Sequence, residues 1–114
     1  MDSILTSIKK LLGIVEEDTN FDVDIIMHIN SAFSVLTQLG VGPAAGFSIE
    51  DNSVYWEDYV GDDPRLEMVK TYVYMKVRVI FDPPTSATVM QAINSRISEL
   101  EWRLNVAVDP SSSK

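Results

Sequence analysis

The chain has 114 residues, nine Lys and Arg against seventeen Asp and Glu, a net charge of −8 and no cysteine. That length suits one small domain with room for a core and little surplus. The charge argues against a surface built to hold nucleic-acid phosphates, which needs clustered Lys and Arg, and the missing thiols exclude disulfides and cysteine-based metal sites.

The opening residues, MDSILTSIKKLLGI, lack the basic start and small-residue cleavage pattern of a secretory signal, and no apolar run reaches the length of a membrane span. An intracellular protein without membrane contact is expected. Asp2-Ser3 caps a short first helix whose apolar face is Ile4, Leu5, Ile8, Leu11 and Leu12, and Gly13 ends it. The linker Glu16-Glu17-Asp18-Thr19-Asn20 supplies caps for a second helix over about residues 21–39. Its stripe is Val23, Ile26, Met27, Ala32/Phe33 and Leu36, widened by Ile29 and Leu39, with Gly40 as the C-terminal cap. Then comes GVGPAAGFSIEDNSVYWEDYVGDDP, rich in turn formers and poor in helical period. Within it Phe47-Ser48-Ile49 and Val54-Tyr55-Trp56 flank Glu50-Asp51-Asn52-Ser53 as a short hairpin would.

The stretch VKTYVYMKVRVIFDPP carries two conflicting signals. Val69, Thr71, Val73, Met75, Val77, Val79 and Phe81 alternate with residues that include Lys70, Lys76 and Arg78, as in a strand. Against that, Asp62-Asp63-Pro64 is a helix start, and no Gly, Asn or Pro interrupts the run until Pro83, a length beyond the usual strand of about 3–10 residues. A helix is predicted, with the stripe Leu66, Val69, Tyr72/Val73, Val77 and Ile80, stopped at Asp82 by Pro83 and Pro84. A last helix starts at Pro84-Thr85-Ser86 and places Val89, Ile93, Ile97, Leu100 and Leu104 on one face, with Glu99 and Arg103 four apart on the surface. The fold class is therefore mainly α: a small bundle of about four helices with a loop or short β-hairpin between the second and third. Residues 1–108 form one helical domain and residues 109–114, too poor in apolar groups to pack, a flexible tail.

Charge is distributed unevenly along the chain. Residues 11–64 contain no Lys or Arg but eleven acids, while Arg65, Lys70, Lys76, Arg78, Arg96 and Arg103 follow. Such polarity sets unlike charges against each other within the fold or between copies, and it also serves simply to keep loops solvated. Catalytic constellations are thin. His28, the single histidine, lies between Met27 and Ile29 inside a helix, where a structural imidazole is the plain account. No GxSxG-like elbow accompanies any Ser, Thr or Lys nucleophile, and the glycines of GVGPAAG lack the Lys-Ser/Thr of a phosphate loop. Glu57, Asp58, Asp62 and Asp63 do not reproduce a calcium-loop spacing, so neither a metal, a cofactor nor an enzyme activity is expected. Trp102 falls about 200° round the helix from Leu100, off the main stripe, which suits either a second face within the subunit or a subunit interface; Trp56 poses the same choice.

Together, VKTYVYMKVRVIFDPP, ISELEWRLNVAVDP and DIIMHINSAFSVLTQLGVGP resemble a family of small virion proteins of tailed bacteriophages, the head-to-tail connector (adaptor) proteins. The resemblance covers most of the chain. It implies a non-catalytic virion protein at the head–tail junction, assembled in the host cytoplasm into a homo-oligomeric ring of about a dozen copies. Such a ring contacts the portal protein and a tail-side connector, and DNA passes through it without specific binding. The corresponding portal-contacting tail here begins near Asn105 and includes Val108, Asp109 and Pro110. A ring needs one surface to meet a different surface on the next copy, and Trp56, Trp102, Arg78, Arg96 and Arg103 are the candidates for it. Glu50, Asp51, Glu57 and Asp58 are assigned to a loop facing the channel or the tail, where acid repels phosphate. The competing reading is a small acidic binding module, an inhibitor or regulator that mimics nucleic acid; its affinity would be strongly salt-dependent.

Overall fold

The Ser3 hydroxyl accepts a hydrogen bond from the Thr6 N–H at 3.2 Å and so starts the first helix. The computed structural model describes residues 3–60 and 65–108, and among these are five helices and no strand. They are α1 (Ile4–Leu11), α2 (Asp22–Gln38), α3 (Trp56–Val60), α4 (Leu66–Phe81) and α5 (Ala87–Val108). A mainly helical bundle is thus observed, with one short helix more than predicted. Both α1 and α2 end on the same device. At α2, Gly40 adopts φ 85°, its N–H reaches the Thr37 carbonyl at 3.0 Å, and the Val41 N–H reaches Leu36 at 2.9 Å. Two carbonyls that the helix end would leave unpaired are satisfied, and Val41 is folded back into the core beside Leu36.

The acidic linker does not cap α2. Phe21 is the cap residue and makes no side-chain cap bond, while Asp18 uses its carboxylate on the Asn20 N–H at 3.1 Å. What organises the linker is Lys9. Its side chain is buried, and Nζ donates to the carbonyls of Glu16 (3.0 Å) and Asp18 (2.7 Å). It also lies 2.9 Å from Asp22 Oδ1, an ionic contact rather than an aligned hydrogen bond. One ammonium group therefore closes the α1–α2 turn and neutralises a carboxylate in the first turn of α2, where the helix dipole also favours it.

The conflict over residues 69–81 resolves as a helix because α4 packs on α2 along one side and α5 along another. Val69, Tyr72, Val73 and Val77 are buried, while Thr71, Met75 and Val79 are half-buried. A helix with two packed sides spreads its apolar residues beyond one stripe, which imitates strand alternation in the sequence. Asp82 leaves the helix at φ −143°, as the residue before Pro83 must. At the other end Arg65 makes no side-chain cap bond, and Asp62, Asp63 and Pro64 lie outside the described residues. Phe21 and Phe81 meet edge to face with centroids 5.4 Å apart, so α2 and α4 run antiparallel; α5 returns along α4 after the prolines, its start capped by Ser86 Oγ on the Val89 N–H. The long helix buries Ile97, Leu100 and Leu104.

Four stripes need correction. On α2 the core face is Ile25, Ile29, Ala32, Phe33 and Leu36, so Val23 and Met27 fall about half a turn away and are exposed. Leu11, Ile80 and Val89, placed on apolar faces by spacing, lie at or near helix ends and stand in solvent.

The expected hairpin is replaced by something else. The Ile49 N–H donates to Asn30 Oδ1 at 2.8 Å and its carbonyl accepts from Asn30 Nδ2 at 2.9 Å, so an α2 side chain takes the backbone groups a partner strand would have used. Val54 likewise gives its carbonyl to the Ile4 N–H at 2.9 Å, and Trp56 opens α3. Phe33 of α2 then gathers this segment into the core: its ring centroid is 5.1 Å from Phe47, 4.7 Å from Tyr59 and 6.2 Å from Trp56. The segment that composition marked as a loop carries an aromatic cluster.

Candidate functional site

The predicted interface residues divide between the inside and the outside of the subunit. Trp56 is 3% exposed and its indole N–H donates to Ser7 Oγ at 2.9 Å, so its surface is used by its own chain and it is withdrawn from the interface set. Trp102 is the opposite case at 67% exposed, on the side of α5 turned away from the buried Leu100 and Leu104. Val106, one turn further, is 43% exposed. A large aromatic left in water beside an apolar neighbour is unusual on an isolated subunit and common in contact surfaces.

Charge surrounds this pair. Glu99 accepts from Arg96 at 2.9 Å and is bridged by Arg103 at 3.1 Å, the predicted four-residue pair included. The hydrogen bond from Arg96, with the charge of Arg103 beside it, holds the Glu99 carboxyl below its usual range. All three side chains are about half exposed, so these pairs contribute little to stability; two arginines to one glutamate leave the face net positive. Arg78 is placed elsewhere, on α4, half-buried with its guanidinium donating to the Tyr74 hydroxyl at 3.3 Å.

Glu50, Asp51, Glu57 and Asp58 are all exposed and lie within one short stretch, Glu50 and Asp51 in the turn and Glu57 and Asp58 on α3. Two of them also have local work. Asp51 accepts from the Ser53 hydroxyl and N–H, which holds its carboxyl low, and Asp58 reaches back to the Tyr55 N–H at 2.8 Å to cap α3. Of the portal-contacting tail, residues 109–114 and the Val108 side chain lie outside the described residues. Asn105 belongs to α5 and donates to the Leu39 carbonyl at 3.3 Å, tying the end of that helix to the end of α2. His28 is half-buried on α2, and among the described residues no three His, Cys, Asp or Glu side chains come together as metal ligands would. No helix of the described residues is long and apolar enough to cross a membrane.

Sequence reading missed Lys9, Asn30 and the Gly42–Tyr59 contact described below. Lys9 had a detectable signal, since it stands four residues after Leu5 on the apolar side of α1, where a base must find a partner. Asn30 had none, because its partner is a backbone nineteen residues away.

Comparison with known protein families matches residues 4–111 to a model described as phage connector protein. Comparisons with curated proteins and with solved structures give no match.

Proposed function

Because this chain belongs to the phage connector protein family, matched over residues 4–111, we propose that it is a non-catalytic structural subunit of the head–tail junction. In this reading copies join into a closed ring of about a dozen between the portal protein and a tail-side connector. The ring surrounds the channel through which DNA passes, and it is assembled in the host cytoplasm. The family match carries the reading. Two features support it: Trp102 and Val106 stand in solvent on α5, and the acids Glu50, Asp51, Glu57 and Asp58 offer a surface that repels phosphate. The chain end at Val108, Asp109 and Pro110 is assigned to the portal.

Disrupting the gene in its own phage tests this directly. Filled heads and complete tails that remain separate under the electron microscope are expected; particles that still join would overturn the proposal. Changing Glu50, Asp51, Glu57 and Asp58 together to Lys should slow DNA passage, and normal packaging and ejection would remove the channel assignment.

A further inference from the structure

Apart from Met27 and Tyr55, the large apolar side chains left in solvent fall into two groups. Leu11, Val15, Phe21, Val23, Ile80 and Val89 are each at least 43% exposed, and all belong to one end of the bundle. The Phe21–Phe81 contact joins the start of α2 to the end of α4, the turn through Pro83 and Pro84 brings the start of α5 there, and the Lys9 bonds fold the end of α1 and its linker onto the same place. This end is acidic as well as apolar, carrying exposed Glu16, Glu17, Asp24 and Asp82 tempered by Lys10. The remaining apolar pair on α5, Trp102 and Val106, lies beside Arg96 and Arg103. From Val89 to Trp102 is thirteen residues of helix, about 20 Å at 1.5 Å per residue, so the two surfaces cannot cover each other within one subunit.

We propose that the apolar, acidic end around Phe21 and Val23 of one copy seats the Trp102–Val106 face of the next, with Arg96 and Arg103 against its carboxylates. The occupant is a second copy because the two surfaces match in both respects: each is apolar at its centre, and their charges are opposite. The contact is head-to-tail, since the surfaces differ and lie at opposite ends; repeated, it closes a ring or extends a filament. This pairing rests on the ring reading above and specifies which faces build it.

The absence of cysteine makes the test clean. Val23→Cys and Val106→Cys are prepared separately, mixed and oxidised. The mixed disulfide should dominate over either homodimer; homodimers in excess, or no cross-link, would overturn the pairing. Trp102→Glu and Val23→Glu, one on each surface, should each weaken self-association roughly tenfold or more, as loss of an interface anchor does. Both sites are exposed, so unfolding midpoints should stay unchanged, and sedimentation and ring counts by electron microscopy read the effect. Rings that persist in Trp102→Glu refute the pairing and leave the ring reading standing. Phage particles that assemble without the protein refute the ring reading itself.

Discussion

Replacing Gly42 by alanine should be among the most damaging single-methyl changes in this chain. Gly42 has φ 83°, and a Cβ built on it would lie 2.5 Å from Tyr59 Cε1, 2.7 Å from Cζ and 2.8 Å from the hydroxyl oxygen. The ring cannot easily yield. It is 4% exposed, packed on Phe33 at 4.7 Å and Phe47 at 5.0 Å, and its hydroxyl donates to the Val41 carbonyl at 3.2 Å. A left-handed alanine costs about 1–2 kcal/mol. Overpacking against a held ring adds about 1–3 kcal/mol, and loss of the hydroxyl bond about 1 kcal/mol more if the ring moves. The sum, about 3–6 kcal/mol, is a large part of the ~5–15 kcal/mol that holds such a domain together. With an unfolding entropy near 2.1 cal/mol/K per residue over this length, each kcal/mol is about 4 °C, so Tm should fall by about 12–24 °C. Urea unfolding followed by the fluorescence of buried Trp56 measures the loss. Gly13→Ala is the control: φ is 82° there but nothing lies within 4 Å, so it should lose only about 1–2 kcal/mol. Equal losses at the two glycines would refute the steric account, as would Gly42→Ala retaining its full cost in a Tyr59→Ala background.

Three further changes probe other joints. Lys9→Met leaves the Asp22 carboxylate and two carbonyls without their cation; a loss of about 2–4 kcal/mol is expected, below the full cost of breaking a buried pair because Asp22 reaches solvent. Adding Asp22→Asn should recover part of that loss in the same urea titration. Asn30→Ala removes both bonds to Ile49, and about 2 kcal/mol should go with them. Amide exchange at Ile49 should then accelerate well before global unfolding. At alkaline pH the Tyr72 phenol is the group to watch, because burial pushes it far above its ordinary range and the Glu101 carboxylate, which accepts its hydrogen bond at 2.7 Å, pushes it further. A raised folded pKa means its stability is complete below the unfolded value of about 10 and is lost as pH rises from there toward the folded value. Unfolding free energies between about pH 8 and 11 should fall more steeply for the native chain than for Tyr72→Phe; parallel curves would refute the assignment.

The helices were legible where the signal was local. Ser3, Gly13, Gly40 and Pro83 each stop or start a helix through groups within a few residues, and their predicted roles agree with the observed bonds. From Ile93 onward the stripe of α5 was readable for the same reason, because a helix packed on one side shows one period. Reading failed where a segment's partner was distant. Asn30 cannot be seen to hold Ile49 until α2 and the loop are folded together, and without that clamp the turn-forming residues between Ile49 and Val54 suggested a hairpin. The exposure of the tryptophans was half legible: Trp102 lay off its stripe and is exposed, while Trp56 gave a similar cue and is buried.

The chain by itself determined a small, acidic, helical domain, the ends of most of its helices, and its kinship with phage connector proteins, because caps, periods and family patterns are carried in short runs of residues. Tertiary structure alone decided which apolar residues were spent inside. Val23, Ile80 and Trp102 differ from Ile25, Val77 and Leu100 only in which neighbours arrive to cover them, and burial is a property of the assembled bundle.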